Sequence, residues 1–314
     1  MEKILLTGGA GNIGSALAKG LLETNQYKVV VVDNLSTGKR DKLPATHPNL
    51  RFIKADTNDR QEMTDIMLAN SFDYVFHYAA LVGVKRTQEN PVKVLEDIDG
   101  IKNMLTLSKN TGVKRFFFSS SSEVYGEPVS IPQHEETTPL NSRVPYAVVK
   151  NVGEAYCKSF FKEYNLDYTI FRFFNTYGPH QTTDFVMSKF LVKALKNEDI
   201  TIYGDGQQTR TFCYVDDNIE TTIKALQENH FVNEVVNIGG AKIYAIKDLA
   251  DKIIQLTNSK SEIKYLPPLA DGDMTRRQPD NSKMKQLLGR ELLTLEEGIE
   301  KMLNSKDFKR LMGI

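Results

Sequence analysis

A tyrosine and a lysine lie four residues apart in the segment YAVVK, at Tyr146 and Lys150. On an α-helix, positions i and i+4 share one face, so both side chains reach the same region of space. A free phenol has a pKa near ~10, and a neighbouring ammonium lowers that pKa by favouring the phenolate. The pair is therefore suited to remove a proton from an alcohol while a hydride leaves to a bound cofactor. The same spacing also arises in an amphipathic helix that carries an aromatic residue and a surface lysine.

A glycine-rich segment near the N-terminus, TGGAGNIG, predicts a dinucleotide site. Gly8, Gly11 and Gly14 form GxxGxxG between a predicted strand and a predicted helix, which is the context that such a site requires. Glycines allow the backbone to approach a pyrophosphate closely, and the helix N-terminus supplies N–H donors. Asp33 follows Gly14 by 19 residues, where a carboxylate suits a ribose diol and repels a 2′-phosphate. We therefore expect NAD(H) rather than NADP(H), with the basic residues just beyond Asp33 in a solvated loop.

The elements that position these residues follow an alternating pattern. Six apolar segments are predicted strands, namely KILLT, YKVVVVD, RFIKAD, DYVFHYAA, KRFFFSS and DYTIFRF. Helical periodicity covers 12–24, 59–69, 91–110 and 143–164, then 185–197, 216–228, 246–257 and 282–303. This alternation predicts an α/β fold with a Rossmann-type doubly wound parallel sheet.

The alternation of predicted strands and helices ends after residue 175, where the segments YGPHQTTD, YGDGQQTR and PPLADGD are rich in loop-forming residues. We expect a smaller C-terminal α/β substrate domain there. The predicted NAD-binding domain spans 1–175 plus about 211–237, and the predicted second domain spans 176–210 and 238–314.

Composition excludes several classes of partner. The 314 residues are 40% hydrophobic, and 40 basic residues cancel 40 acidic ones, so no global field attracts nucleic acid or a membrane surface. No apolar run is long enough to span a membrane or form a signal peptide. The five histidines and the cysteines Cys157 and Cys213 show no metal-ligand spacing, and the two cysteines predict no disulfide framework. A cytoplasmic protein without a structural metal is the expectation.

Nine segments, in order, resemble motifs of the extended short-chain dehydrogenase/reductases, in their nucleotide-sugar epimerase/dehydratase branch. These segments are TGGAGNIG, VDNLSTG, KAD, HYAA, SSSSEVYG, YAVVK, RFFNTYGP, GDGQQTRTFCYVDD and RRQPDNSKMKQLLG. The resemblance implies NAD as cofactor, a nucleoside-diphosphate sugar as substrate and a Ser–Tyr–Lys trio. Tyr146 matches the base, Lys150 the residue that lowers its pKa, and Ser121, aligned on VYG, the hydroxyl that holds the reacting sugar alcohol.

Motif and resemblance together give the expected binding residues. Those for the cofactor are Gly8, Gly11, Asn12, Ile13, Gly14, Asp33, Asn34, Ser36, Thr37, Gly38, Asp56, Thr57, Ala79, Ala80, Ser119, Tyr146, Lys150 and Phe173. Those for the substrate are Ser121, Ser122, Asn175, Arg210 and Arg277, with Arg276 as a second basic candidate. Asp56 is expected either to accept from the adenine amino group or to cap the next helix, and His77 to be a core histidine.

The net reaction depends on the step that comes after oxidation of the sugar 4-hydroxyl. Relatives that dehydrate hexoses carry Asp-Glu before VYG, whereas this chain has Ser122 and Glu123, so 4,6-dehydration is disfavoured. The Ser-Glu pair resembles sugar-acid decarboxylases and GDP-mannose-modifying enzymes. Glu123 is therefore a catalytic candidate, as an acid or base or as a hydrogen-bonded carboxylate. We favour 4-epimerisation, with net 4-dehydrogenation or decarboxylation as alternatives and a non-catalytic NAD sensor as a remote one.

Two residues depart from the family pattern. Asp97 stands where relatives carry asparagine, and its carboxylate is expected to stabilise the oxidised cofactor or to perturb Tyr146. His180 replaces an arginine in YGPRQ, in a loop expected to face the substrate. The resemblance also implies a homodimer through the helices at 91–110 and 143–164.

Overall fold

The structure, a computed structural model, describes residues 1–268 and 276–314. Its main layer is a sheet of seven parallel strands, β1 (Glu2–Thr7), β2 (Tyr27–Asp33), β3 (Leu50–Lys54), β4 (Tyr74–His77), β5 (Arg115–Ser121), β6 (Asp167–Phe173) and β11 (Glu234–Ile238). Their order is β11-β6-β5-β4-β1-β2-β3, so the direction of winding reverses between β1 and β4. Ligands bind beyond the carboxyl ends of the strands at such a switch point. The predicted Rossmann-type fold is confirmed.

Helices cover both faces of the sheet. They are α1 (Asn12–Glu23), α2 (Arg60–Leu68), α3 (Val84–Glu89), α4 (Pro91–Thr111), α5 (Pro145–Tyr164), α6 (Val186–Leu195), α7 (Val215–Gln227), α8 (Ile246–Thr257), α9 (Ser282–Leu288), α10 (Leu295–Asn304) and α11 (Lys306–Met312). Within the described ranges, no helix is long and apolar enough to cross a membrane.

Each face of the sheet has its own apolar core, and β5 shows why its sequence is continuously apolar. Phe117 belongs to the core that α1 and α7 cover, whereas Phe116 and Phe118 belong to the core beneath α2, α4 and α5. Successive strand residues point to opposite faces, so a strand covered on both faces needs apolar residues at every position. The apolar run ends at Phe118, and the strand continues through three serines to Ser121, at the edge that holds the candidate site.

Six short strands form three small pairs outside the main sheet. They are β7 (Thr176–Tyr177), β8 (Ile200–Tyr203), β9 (Thr209–Thr211), β10 (Cys213–Tyr214), β12 (Ile243–Ala245) and β13 (Ile263–Leu266). Strands β7 and β10 pair in parallel, as do β8 and β13, whereas β9 and β12 are antiparallel. The segment YGDGQQTR, predicted as loop, thus contains the end of β8 and the start of β9.

The C-terminal region also corrects the sequence prediction. The single helix predicted over 282–303 is wrong, because α9 ends at Gly289, whose φ of +66° is a left-handed helix terminator. Helix α10 begins anew after a capping box between Thr294 and Glu297. Helix α11 was not predicted, and the predicted loop PPLADGD lies outside the described residues from position 269 onward.

Candidate active site

The turn from β1 to α1 is shaped by glycines that leave no room for a side chain. Gly8 has a φ of +68°, and a Cβ there would lie 2.6 Å from the backbone N of Ala79. A Cβ on Gly14 would lie 2.3 Å from the carbonyl oxygen of Gly8. Because both obstacles are backbone atoms, the turn cannot relax around a larger residue. The glycines thus bring the turn against the end of β4, at the switch point of the sheet.

The first turn of α1 fits a dinucleotide pyrophosphate. Gly11 caps this helix without a side-chain hydrogen bond, so the first backbone N–H groups remain available to an anion. The buried side-chain oxygen of Asn12 has no hydrogen-bond partner among the described residues. A buried polar atom in this state is unfavourable unless a ligand or water satisfies it. The half-buried side chain of Ile13 lies beside these groups in the chain.

Asp33 ends β2 and is oriented by the loop after it. One carboxylate oxygen accepts from the backbone N of Ala10 at 2.9 Å, and the other accepts from that of Leu35 at 2.8 Å. Each oxygen keeps a further lone pair for a ribose hydroxyl. The guanidinium of Arg40 donates instead to the carbonyl of Pro44 at 3.0 Å and lies over Phe52, while Lys39 is exposed. This arrangement agrees with the expected preference for a 2′-hydroxyl.

The adenine end of the predicted site joins the ends of β2 and β3. The Asn34 amide donates to Asp56 at 2.9 Å, and Asp56 accepts from the backbone N of Asn58 at 2.9 Å. Helix α2 is capped by Asp59 rather than by Asp56, so the alternative role predicted for Asp56 as a cap is wrong. Thr57 is buried nearby.

His77 is a core residue, as expected. It is 1% exposed, and its Nδ1 lies 2.9 Å from the Thr7 hydroxyl, which also accepts from the backbone N of Ala79 at 3.3 Å. Burial lowers the pKa of His77 to about 3 and so keeps the imidazole neutral. The Ser119 hydroxyl donates to the His77 carbonyl at 3.2 Å, which joins β4 to β5 below the cofactor positions.

The remaining cofactor positions vary in exposure. Gly38 is buried, Thr37, Ala80 and Phe173 are half-buried, and Ser36 is exposed. The ring of Phe173 packs edge-on against Tyr78 with centroids 5.5 Å apart.

Helix α5 carries Tyr146 and Lys150 into the site. Lys150 is 3% exposed, which excludes the alternative of a surface lysine. Its ammonium donates to the Ser119 hydroxyl at 3.3 Å and lies 5.8 Å from the centroid of the Tyr146 ring. Burial lowers the pKa of Lys150 to about 8, although the charge of Asp97 opposes this shift. The cation therefore sits beside the phenol.

The phenol of Tyr146 has a raised pKa in this structure. Burial is the largest cause and the charge of Glu123 the next, while a hydrogen bond with Ser121 acts in the opposite direction. Asp97 raises the same pKa further, and Arg277 lowers it. The direction is thus the opposite of the lowering predicted from the sequence: burial and two carboxylates raise this pKa, and the charge that lowers it is that of Arg277.

Asp97 lies in the second turn of α4. Its carboxylate accepts from the backbone N of Leu81 at 2.7 Å, and burial raises its pKa. The expectation that Asp97 perturbs Tyr146 agrees with these electrostatics.

An ion pair closes the other side of the phenol. Arg277 lies 2.6 Å from a carboxylate oxygen of Glu123, 154 positions away in the sequence. The backbone N of Glu123 donates to the Ser121 hydroxyl at 3.2 Å, so the pair is attached to the serine that contacts Tyr146. Arg277 is 8% exposed, whereas Arg276 is exposed. Of the two basic candidates, only Arg277 enters the site.

The other candidate substrate residues lie around strand β9. Arg210 is 5% exposed and donates to the carbonyl of Thr209 at 2.7 Å. The Asn175 amide donates to the carbonyl of Thr211 at 3.0 Å. Strand β9 therefore brings Asn175 and Arg210 together, while Ser122 is 1% exposed beneath the Glu123 turn.

Sequence reasoning missed a buried charge network that fixes α5. The Glu154 carboxylate and the Arg172 guanidinium are 2.7 Å apart, and their side chains are 1% and 2% exposed. Ser120 donates to Glu154 at 2.6 Å, and Arg172 donates to the hydroxyl of Tyr125 at 2.8 Å. The network connects α5 to β5, β6 and the VYG turn. The sequence feature that could have indicated this network is Glu154, a carboxylate four residues after Lys150 and therefore on the same face of the helix.

The expectation that His180 faces the substrate is not supported by its contacts. Its Nδ1 lies 2.6 Å from the hydroxyl of Ser15 on α1, and its Nε2 lies 3.4 Å from Asp307 on α11. The side chain is therefore directed toward the back of the first turn of α1.

Fold and site together define a Rossmann-type enzyme that binds a dinucleotide and carries a serine, tyrosine and lysine at the carboxyl edge of its sheet. The sequence profile of the NAD dependent epimerase/dehydratase family matches residues 4–239. The chain belongs to this family, and its cofactor is NAD.

Individual relatives differ in the reaction that their names describe. The chain is 36% identical over 313 residues to UDP-glucuronic acid decarboxylase 1 of Xenopus tropicalis, covering 96% of this chain and 72% of the relative. It is 36% identical over 301 residues to a UDP-N-acetyl-alpha-D-glucosaminuronate decarboxylase of Bacillus cytotoxicus, with 91% of each covered. The crystal structure of a Thermotoga maritima UDP-glucose 4-epimerase with UDP-glucose superposes with a TM-score of 0.91 at 35% identity, with 99% of each chain covered. The chain is thus similar to epimerases and decarboxylases that act on nucleotide sugars.

Proposed function

We propose that the chain oxidises the 4-hydroxyl of a nucleoside-diphosphate sugar with tightly held NAD⁺ and returns the hydride to the other face, as a 4-epimerase. The observation that carries this proposal is the convergence of Ser121, Tyr146 and Lys150 beside the glycine turn. The family and the UDP-linked substrates named for its relatives support it. UDP and GDP remain the two candidate nucleotides.

In this mechanism Tyr146 removes the proton of the 4-hydroxyl, which Ser121 orients through its own hydroxyl. NAD⁺, when bound, supplies the acceptor for the hydride. Lys150 keeps its proton at neutral pH, since its pKa is about 8, and its charge stabilises the phenolate as it forms. The Glu154–Arg172 pair holds α5 so that both groups stay aligned.

The charges near the phenol favour a neutral sugar. Glu123 and Asp97 raise the pKa of Tyr146, whereas Arg277 is already paired with Glu123. Lys150 and Arg277 already balance these two carboxylates, so the carboxylate of a sugar acid would have to compete with Glu123 for Arg277 in a poorly solvated site. A neutral hexose requires no rearrangement of the Glu123–Arg277 ion pair. Epimerisation through a 4-ketone requires no acid or base beyond Tyr146.

Decarboxylation is the second candidate because of the same pair. If Glu123 released Arg277, a fork of guanidinium donors would become available to a substrate carboxylate beside Tyr146. Oxidation at C4 would then make that carboxylate β to a ketone, and carbon dioxide would leave. The two decarboxylase relatives favour this reading.

The deciding experiment supplies UDP- and GDP-linked neutral hexoses, N-acetylhexosamines and uronic acids to the purified protein. We expect the 4-epimer of a neutral sugar by NMR and no lasting absorbance of NADH. Release of carbon dioxide from a uronic acid alone would replace the proposal with decarboxylation. Stoichiometric NADH with a free 4-keto sugar would indicate a net dehydrogenase, and binding of NAD without turnover of any sugar would indicate a sensor.

Substrate binding and domain division are part of this proposal. We assign NAD binding to 1–175 plus about 211–237, and nucleotide-sugar binding to 176–210 and 238–314. Asn175, Arg210 and Arg277 are proposed to hold the diphosphate and sugar, which supplies the local positive charge that the neutral composition hides.

Two exposed helices favour a homodimer. Val92 on α4 and Val148, Phe161 and Tyr164 on α5 are 73%, 37%, 36% and 49% exposed. Pairing α4 and α5 with their copies would bury this apolar face, and Phe161→Glu is then expected to yield monomers in light scattering.

The two buried free cysteines fit a cytoplasmic location, which fractionation of the source cells tests.

A further inference from the structure

The C-terminal helix contacts the cofactor-binding region from behind. Its buried Phe308, which is 0% exposed, anchors α11 in the core that α1 and α7 cover. Beside this anchor Arg310 donates to the carboxylate of Asp307 at 3.2 Å, and each of the two side chains makes a further contact with a different segment. Asp307 contacts His180, and we call His180, Asp307 and Arg310 the C-terminal brace.

The first arm of the brace reaches the turn that fits the pyrophosphate. His180 lies between Ser15 and Asp307, at 2.6 Å and 3.4 Å. A carboxylate only accepts, so the Nε2 of His180 carries the hydrogen toward Asp307. Neutral His180 then accepts from the hydroxyl of Ser15, whereas protonated His180 donates to it and leaves that hydroxyl to the carbonyl of Asn12, 3.2 Å away. In either state α11 is connected to the first turn of α1.

The second arm reaches the loop that surrounds Asp33. Arg310 donates to the carboxylate of Asp41 at 3.1 Å and to its carbonyl at 2.9 Å, across 269 positions of sequence. The backbone N of Lys39 donates to the carbonyl of Ala10 at 3.0 Å, which joins the same loop to the glycine turn. The brace therefore touches both segments that enclose the adenosine and pyrophosphate positions.

We propose that the C-terminal brace holds the first turn of α1 and the 34–42 loop in their cofactor-binding positions and so slows the release of NAD. A ligand enclosed by a turn and a loop leaves when these segments open locally. Side-chain contacts that are made only in the closed arrangement raise the barrier to that opening. Because the proposed epimerase would reuse its cofactor in every cycle, slow release keeps NAD bound between turnovers.

The test measures NAD release directly in full-length variants. His180→Ala, Arg310→Ala and the double variant are loaded with NAD⁺ and diluted, and free NAD⁺ is followed with a coupled assay. Loss of one hydrogen-bonded contact is expected to speed release about fivefold to tenfold. The double variant is expected to release NAD faster than either single variant but by less than the product of the two factors, because His180 and Arg310 share Asp307. Lys252→Gln is the matched control, since it removes a C-terminal ion pair of 2.6 Å with Glu296 that touches neither segment.

The kinetic pattern separates a brace from a general structural role. We expect kcat at saturating NAD⁺ to stay within about twofold of wild type in each variant, with unchanged product ratios. The midpoint of thermal unfolding without NAD is expected to fall no further than in Lys252→Gln. Release from the double variant at the wild-type rate would overturn the proposal, as would equal acceleration in the control. NAD release and thermal unfolding are measured without any sugar, so these two readouts test the brace even if the proposed epimerase activity is wrong.

Discussion

The cofactor side and the substrate side of the site are built by different means. On the cofactor side, Gly8 and Gly14 pass within atomic contact of other backbone, and Asp33 is oriented by two backbone N–H groups. On the substrate side, Tyr146 is surrounded by side-chain charges, with Glu123 and Arg277 drawn together from distant parts of the chain.

The comparison indicates that the turn beside the cofactor is rigid, whereas the side-chain charges around Tyr146 determine which substrate is accepted. A turn determined by backbone contacts accepts one kind of ligand and tolerates few changes. A site set by an ion pair can change its charge with a single substitution or a small rearrangement, so related enzymes can share the oxidation step and differ in the later steps. Buried charge also destabilises the fold. The pKa of Lys150, which burial holds well below its ordinary value, reflects this cost.

The largest expected effect is on catalysis. Tyr146→Phe removes the base but keeps the ring, so turnover should fall about 10³-fold while NAD stays bound. Steady-state assays and the cofactor content of the purified variant measure the two quantities. Tyr164→Phe, at the exposed end of the same helix, is the control and should match wild type. Equal activity in both variants would contradict the assigned base.

On the cofactor side, a substitution should act through a clash with backbone atoms. Gly14→Ala places a Cβ 2.3 Å from the carbonyl oxygen of Gly8, so we expect a loss of about 3 kcal/mol in unfolding free energy together with loss of NAD binding. Gly20→Ala on the same helix places a Cβ 2.8 Å from side-chain atoms of Ile219 and Ile223 rather than from backbone, so these side chains can shift and the cost should be smaller. Urea unfolding and calorimetry with NAD⁺ test this contrast. A similar loss in both variants would mean that the turn is not specially constrained.

Lys150→Met should stabilise the protein that it inactivates. The folded-state pKa of Lys150, about 8, is below the ordinary 10.5, so the unfolded chain binds more protons between these values. Wild-type stability should therefore rise as pH increases through this window, and at pH 7 the buried ammonium should cost about 3 kcal/mol. Urea unfolding without NAD at pH 7 and pH 9.5 should show a stabler variant that lacks this rise. A less stable variant at both pH values would contradict the cost assigned to the buried charge.

The smallest effect tests the ion pair. Glu123→Gln removes the carboxylate that raises the pKa of Tyr146, so the acid limb of the pH–rate profile should move to lower pH. The value of kcat/KM for a neutral sugar should change by less than about tenfold, since the base itself is intact. Glu127→Gln, on the exposed surface after the same turn, is the control. An acid limb that does not move would remove Glu123 from the electrostatics of the phenol.

Local patterns in the sequence predicted the strand–turn–helix geometry of the candidate cofactor side. The glycine spacing, Asp33 after β2 and the Tyr146–Lys150 pair each depend on residues that one element positions, so periodicity and turn chemistry were sufficient. The single helix predicted over 282–303 failed because apolar periodicity continues through Gly289, where the backbone reverses.

Long-range pairing was beyond the sequence. Nothing local connects Glu123 with Arg277, Glu154 with Arg172, or His180 with Ser15, because each pair forms only after the sheet has assembled. The same reasoning explains why His180 was expected at the substrate, since its neighbours in sequence are loop residues whereas its neighbours in space belong to α1 and α11.

The most direct test of the central claim traces the hydrogen at C4. A nucleotide hexose carrying deuterium at C4 is supplied to the enzyme, and the product and the bound cofactor are analysed by mass spectrometry. Direct transfer predicts that deuterium appears transiently on the cofactor and returns to C4 of the epimer. Loss of deuterium to solvent, or turnover in which the cofactor never acquires it, would contradict oxidation at C4.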